Sequence, residues 1–279
     1  MNHEWVLSAV TFVYLLSFIG YLVWMVRGAE FWGAGASWIA RIGFLFHSAG
    51  ILLRWRASYE MGIGHVPLAN FYESLIFFAW AVMLLYLLVE WRTRSRSPGA
   101  FVLPVACLLM AYASIVPGVS GRIEPLIPAL QSNWLTVHVL TCFLGYAAFA
   151  VAFALGQMYL IRSRRGEGCN GGFLGRAIPA PEVLEDLLYR SIILGFVFLS
   201  LGIMTGSIWA HYAWGAYWSW DPKETWSLIT WIVYAIMLHA RAVRGWRGRQ
   251  MAWMSLVGFV SVLFTYLGVN YLDSLHSYF

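Results

Sequence analysis

The sequence predicts an all-α polytopic integral membrane protein of about eight transmembrane helices, with both termini on the outer face, periplasmic or lumenal. Three observations carry this. The 279 residues are 61% hydrophobic and only 11% charged, far from the ~25% charge of a soluble domain. Charge-free stretches at 5–26, 191–220 and 250–272 each reach the ~20 residues needed to cross a hydrocarbon core. Lipid offers no partner to backbone polar groups, so such stretches must be helical.

Taken in order, the spans fall near 5–26, 37–55, 71–90, 101–117, 134–161, 188–210, 226–243 and 251–272. The second is short of charge-free length, because 12 uncharged residues separate Arg41 from Arg54, although both arginines could snorkel outward from a spanning helix. The fourth is bracketed by Pro104 and Pro117 around a short Ala/Leu/Tyr core. Between the fifth and sixth spans, residues 162–181 are rich in Gly, Arg and Pro and read as a flexible linker, with 182–190 able to begin the next helix. The seventh span opens on Asp221, Pro222 and Glu224, which fit an N-cap, a first-turn proline and the third position of a capping box. The N-terminal stretch lacks a basic region and an A-x-A site, so it is expected to remain as a helix. Residues 1–279 thus read as a single polytopic domain, with 210–226 as a tryptophan-rich segment on the outer face.

Orientation follows from positive charge. The connections at 27–41, 92–96, 162–190 and 241–249 hold 14 of the 18 basic residues and are expected to be cytoplasmic. This bias accounts for the net charge of +5, so no nucleic-acid partner is implied.

The chemistry left open is narrow. Cys107 and Cys142 fall within predicted spans and Cys169 in the linker, and no C-x-x-C or C-x-x-C-H occurs. The chain therefore carries no vicinal dithiol and no covalent c-type haem of its own. Serine nucleophile elbows, Walker loops, G-x-G-x-x-G turns and H-E-x-x-H helices are also absent, which argues against a hydrolase or a nucleotide-driven pump.

Histidine remains. Of seven, His138 begins the fifth span and His276 follows the eighth, both on the outer side, while His239 and His47 lie within the seventh and second spans. His65 lies in an outer connection and His3 is terminal. An intramembrane imidazole is a functional candidate by default, although hydrogen bonding to a neighbouring helix explains an isolated one equally well. Between His138 and His276 lies "WGAYWSWDPKETW", residues 214–226, with Trp214, Trp218, Trp220 and Trp226, two acids and the chain's single lysine, Lys223. A haem needs aromatic faces, cationic donors and one or two imidazoles, and this set supplies all of them. An interfacial aromatic belt also collects tryptophans, but needs no accompanying Asp-Pro-Lys-Glu.

The longer stretch "WGAYWSWDPKETWSLITWIVYAIMLHAR" resembles the tryptophan-rich WWD signature of haem-handling proteins, in the form found in the CcsA/ResC family of system II cytochrome c biogenesis. The resemblance extends to "GHVPLANFYESLIFFAW", "WLTVHVLTCFLGYAAF" and "SLHSYF", covering most of the chain from about Gly64. It implies a cytochrome c haem-lyase subunit, working with a CcsB/ResB-type membrane partner in a bacterial cytoplasmic or thylakoid membrane. Such a complex carries haem b to the outer face and attaches it to the C-x-x-C-H of an apocytochrome c, supported by a thiol reductant system. By motif, His138 and His276 correspond to paired outer haem ligands, Trp214, Trp218, Trp220, Asp221 and Trp226 to the haem-contacting surface, and His239 to an intramembrane ligand whose counterpart comes from the partner. No residue is expected to act as a nucleophile. Delivery to a haem chaperone in a system I manner, a b-type electron-transfer protein and a non-haem membrane subunit stay open as alternatives.

Overall fold

The computed structural model describes residues 3–116, 118–164 and 177–272. Among them are eight α-helices: α1 (His3–Arg27), α2 (Glu30–Glu60), α3 (Phe71–Thr93), α4 (Gly99–Ile115), α5 (Asn133–Arg164), α6 (Pro181–Trp214), α7 (Pro222–Arg244) and α8 (Arg249–Tyr266). Short 3-10 turns occur at Pro128–Leu130 and Gly268–Tyr271. Every expected span is found as a helix, and no strand occurs among the described residues. Seven helices are long and apolar enough to cross a membrane, whereas α4 has 17 residues and contains Pro104. At 1.5 Å per residue α4 reaches only ~25 Å, somewhat short of a ~30 Å hydrocarbon layer.

Small residues decide how the helices pack. In the α1–α2 hairpin, a Cβ added to Gly33, Gly43 or Gly50 comes within 3.0 Å of Trp24, Tyr14 or Leu7 respectively, so the large side chains of α1 fit only against bare backbone on α2. α5 is the central helix, packed on α3, α4, α6 and α8. Its Gly145 lies against the backbone of α6 and its Gly156 against Ser255 and Ala252 of α8. Phe149 of α5 fills the space over Gly195 and stacks on Tyr234 of α7, ring centroids 3.5 Å apart.

Successive helices cross the bundle, so the connections alternate between two ends. The arginine end carries the connections after α1, α3, α5 and α7. Arg96 reaches Glu30 at 2.7 Å there, and Glu185 receives both Arg241 and the amide of Gly248. The tryptophan end carries the others. Among the described residues, each end has a buried glutamate that gathers donors from other helices or loops. At the arginine end Glu90 accepts from Tyr86, Ser37 and Arg41. At the tryptophan end Arg54, with its side chain 2% exposed, pairs with Glu73 at 2.8 Å and donates to the carbonyls of Gly121 and Arg122.

These networks correct one expectation. Arg41 and Arg54 do not simply snorkel outward: each has an acid on α3 in reach, and Arg54 is fully enclosed. A guanidinium with a carboxylate and two carbonyls in place has no need of the interface. Several helices outrun the expected apolar spans: α7 begins at Pro222, where the expected cap places it and ahead of the 226–243 span, and α2 runs for 31 residues. Most of the linker and Cys169 lie outside the described residues.

Candidate functional site

His138 sits in the second turn of α5, at the tryptophan end. Its Nδ1 lies 2.7 Å from the main-chain oxygen of Gly202 on α6. A carbonyl only accepts, so Nδ1 carries the hydrogen and the ring's lone pair is on Nε2. The imidazole lies nearly parallel to the Trp209 indole, centroids 6.0 Å apart and planes 14° apart. Trp209 is buried and meets Trp214 edge-on at 4.9 Å. Next to His138 opens a small cavity of about 90 Å³, lined by Cys142, Tyr146, Tyr217, Trp218, Lys223 and Tyr266 among others.

The rim is the 215–221 turn. Gly215 (φ 80°) ends α6 in the left-handed conformation, its amide returning to the carbonyl of His211. Trp220, with φ 60°, is one of two non-glycine residues at positive φ among those described, a geometry that costs roughly 1–2 kcal/mol. What holds it is the capping box. The Asp221 carboxylate accepts from the amide of Lys223 at 3.0 Å, and that of Glu224 accepts from the amides of Ser219 and Asp221 at 2.7 and 3.3 Å. The expected cap, first-turn proline and box are all present. The same first turn brings Lys223 and Glu224 to the cavity wall.

The expected site residues separate into distinct environments. His138 and Trp218 line the cavity, and Trp214 stands one ring behind, through Trp209. Trp220 is 69% exposed and meets Trp218 edge-on. Trp226 packs on Phe264 of α8, centroids 4.1 Å apart, away from the cavity lining. Asp221 is buried as the helix cap. His276 lies outside the described residues. His239 is at the opposite end of the bundle, exposed on α7 in a groove with Trp231, Arg244 and Trp246. Arg241, two residues further along α7, binds Glu185 at 2.9 Å and covers the ring of Tyr189.

Of the remaining four histidines, His211 is exposed near the end of α6 and stacks on Tyr217, ring centroids 4.3 Å apart, and the other three are held locally. His47 is completely buried, with Nδ1 3.1 Å from the Tyr14 hydroxyl. His65 lies between the carbonyls of Val66 and Glu124, and His3 approaches Arg54 at 3.3 Å. Sequence reasoning missed Trp209, Cys142, Gly202 and Gly206 as parts of the His138 site. Positions 202, 206 and 209 share one face of α6 by helical spacing, but which face meets α5 becomes visible only once the two helices pack.

An all-helical bundle with seven helices of membrane-crossing character and an imidazole-bearing aromatic cavity at one end defines an integral membrane protein. Comparison with known proteins narrows the class. The chain belongs to the cytochrome C assembly protein family, whose profile it matches over residues 68–276. It is 42% identical to the cytochrome c biogenesis protein CcsA of Chlamydomonas reinhardtii, over 82% of this chain and 64% of that protein. It is 39% identical to CcsA of Microcystis aeruginosa, over 88% and 87% of the two chains, and 38% identical to CcsA of a Synechococcus strain, over 98% and 95%. Among solved structures, the cytochrome c haem lyase CcmF shares the fold, with a TM-score of 0.73 and 18% identity over 95% of this chain and 46% of CcmF. The chain thus spans just under two thirds of the Chlamydomonas protein and less than half of CcmF.

Proposed function

We propose that this CcsA-type chain holds haem b at the tryptophan end of the bundle and presents it for covalent attachment to an apocytochrome c. The observation that carries the reading is the His138 seat: an imidazole fixed through Nδ1 and backed by an indole, beside a cavity that also holds Trp218 and Lys223. These residues fit the cargo. Aromatic walls suit the macrocycle, and Lys223 at the outward N-terminus of α7 suits its propionates. His276 completes a bis-imidazole pair, which occupies the iron until a substrate histidine displaces one ligand.

The attachment needs little from the protein in the way of reacting groups. Each substrate thiol adds across a vinyl double bond, sulfur to one carbon and hydrogen to the other, with no net oxidation. Positioning and exclusion of competing reactions are the protein's contribution. That agrees with a cavity whose one thiol, Cys142, lies back against His138. A CcsB/ResB-type membrane partner supplies the counterpart to His239, and a thiol reductant system keeps the substrate cysteines reduced. The membrane is a bacterial cytoplasmic or thylakoid one, with the tryptophan end facing periplasm or lumen.

The test is replacement of His138 or His276 by Ala in the intact complex. Cytochrome c maturation is expected to be lost while the protein remains in the membrane at its normal level. Normal maturation in both variants overturns the reading.

A further inference from the structure

Where α6 passes His138 it carries glycine at two positions one turn apart. A Cβ on Gly206 falls 2.5 Å from Nδ1 and 2.6 Å from Cε1 of the imidazole. A Cβ on Gly202 falls 2.5 Å from the sulfur of Cys142, one turn further along α5. The main-chain oxygen of Gly202 is the acceptor for Nδ1–H, and Thr205 Oγ1 shares that oxygen at 3.2 Å. The imidazole therefore lies between the bare backbone of one helix and the face of Trp209.

We propose that Gly202 and Gly206 are the positioning residues for His138: their missing side chains form the seat that lets Nδ1–H reach a helix carbonyl and aims Nε2 at the iron of the haem. The proposal rests on His138 being a haem ligand and adds what orients it. Ordinary contact between heavy atoms needs ~3.5–4.0 Å, so a methyl at position 206 displaces the ring by about 1 Å. A shift of that size breaks a 2.7 Å hydrogen bond. Losing the bond removes the carbonyl acceptor that fixes the tautomer, and with it the basicity that such an acceptor lends to a ligating imidazole.

The experiment uses the full chain coexpressed with its membrane partner and reads haem absorbance after purification. Gly206→Ala is expected to lower the haem held at this site on the order of tenfold, in the range found when a ligand's orienting partner is removed. Disturbed packing of α5 on α6 is separated from this by working in a His138→Gly background. There the ring is absent, no other atom lies closer than 3.4 Å to the added methyl, and free imidazole serves as the probe. Imidazole is expected to restore haem absorbance in His138→Gly and to fail in His138→Gly/Gly206→Ala, while the two variants melt at the same temperature. Equal restoration in both overturns the proposal. Full haem absorbance in His138→Gly without imidazole overturns the ligand assignment itself, and the positioning role with it.

Discussion

Trp218 and Trp220 stand two positions apart in the same turn and face different surroundings, one lining the cavity and the other 69% exposed. If Trp218 is a face of the haem site, Trp218→Ala should reduce haem retention by roughly 2- to 13-fold, the equivalent of the ~0.5–1.5 kcal/mol carried by an aromatic contact. Trp218→Phe should retain most of it, and Trp220→Ala should leave haem content unchanged. Haem absorbance of the three purified variants checks this, and equal values throughout point to a membrane-interface belt. At this scale legibility tracked sequence distance. The Asp221–Glu224 capping box joins residues three apart and could be read directly. Trp209 could not, because its part in the site depends on a stacking partner on another helix, and within the sequence it is one aromatic in an apolar stretch.

At the scale of the helix, α5 and α7 are opposites. The apolar core of α5 is 83% buried and that of α7 only 22%. The existence and order of the helices were legible because lipid forbids any other backbone state. Their lengths were not, since apolar composition marks where the hydrocarbon lies and not where helical backbone ends: α2, with no side-chain cap at its start, runs for 31 residues and extends ~46 Å. The exposure of α7 gives His239 a setting unlike that of His138. It lies 17 residues beyond Pro222, ~25 Å along the axis, too deep to share an iron with His138 near the opposite end. His239→Gly should therefore lower the haem copurifying with the complex and block maturation, and added imidazole should restore part of both. Unchanged haem content in that variant assigns His239 to packing or lipid contact alone.

For the whole molecule, the alternation of connections places most of the arginines at one end and the tryptophan-rich turn at the other, and by the positive-inside rule we propose that the arginine end faces the cytoplasm. Reporter fusions after Arg96 and Arg247 should read cytoplasmic, and fusions after Gly121 and Gly215 external. A cytoplasmic Gly215 inverts the bundle and removes the haem site from the face where cytochrome c is matured. Buried Arg54 then has a consequence in time. Its acid, Glu73, is 19 residues downstream, and the carbonyl of Gly121 is 67 residues downstream. At ~5–20 residues per second of synthesis, α2 waits about one to four seconds for a counter-ion, during which an unpaired guanidinium opposes release into lipid by ~2.5–3.5 kcal/mol on insertion scales. The insertion machinery must therefore retain α2 until α3 is made and pass the two on as a pair. A nascent chain halted at Glu60 should integrate α2 poorly in a glycosylation-mapping assay, and one halted at Ser95 should integrate it well. Glu73→Gln should return the longer chain to the behaviour of the shorter, and equal integration of all three shows that α2 enters lipid without waiting.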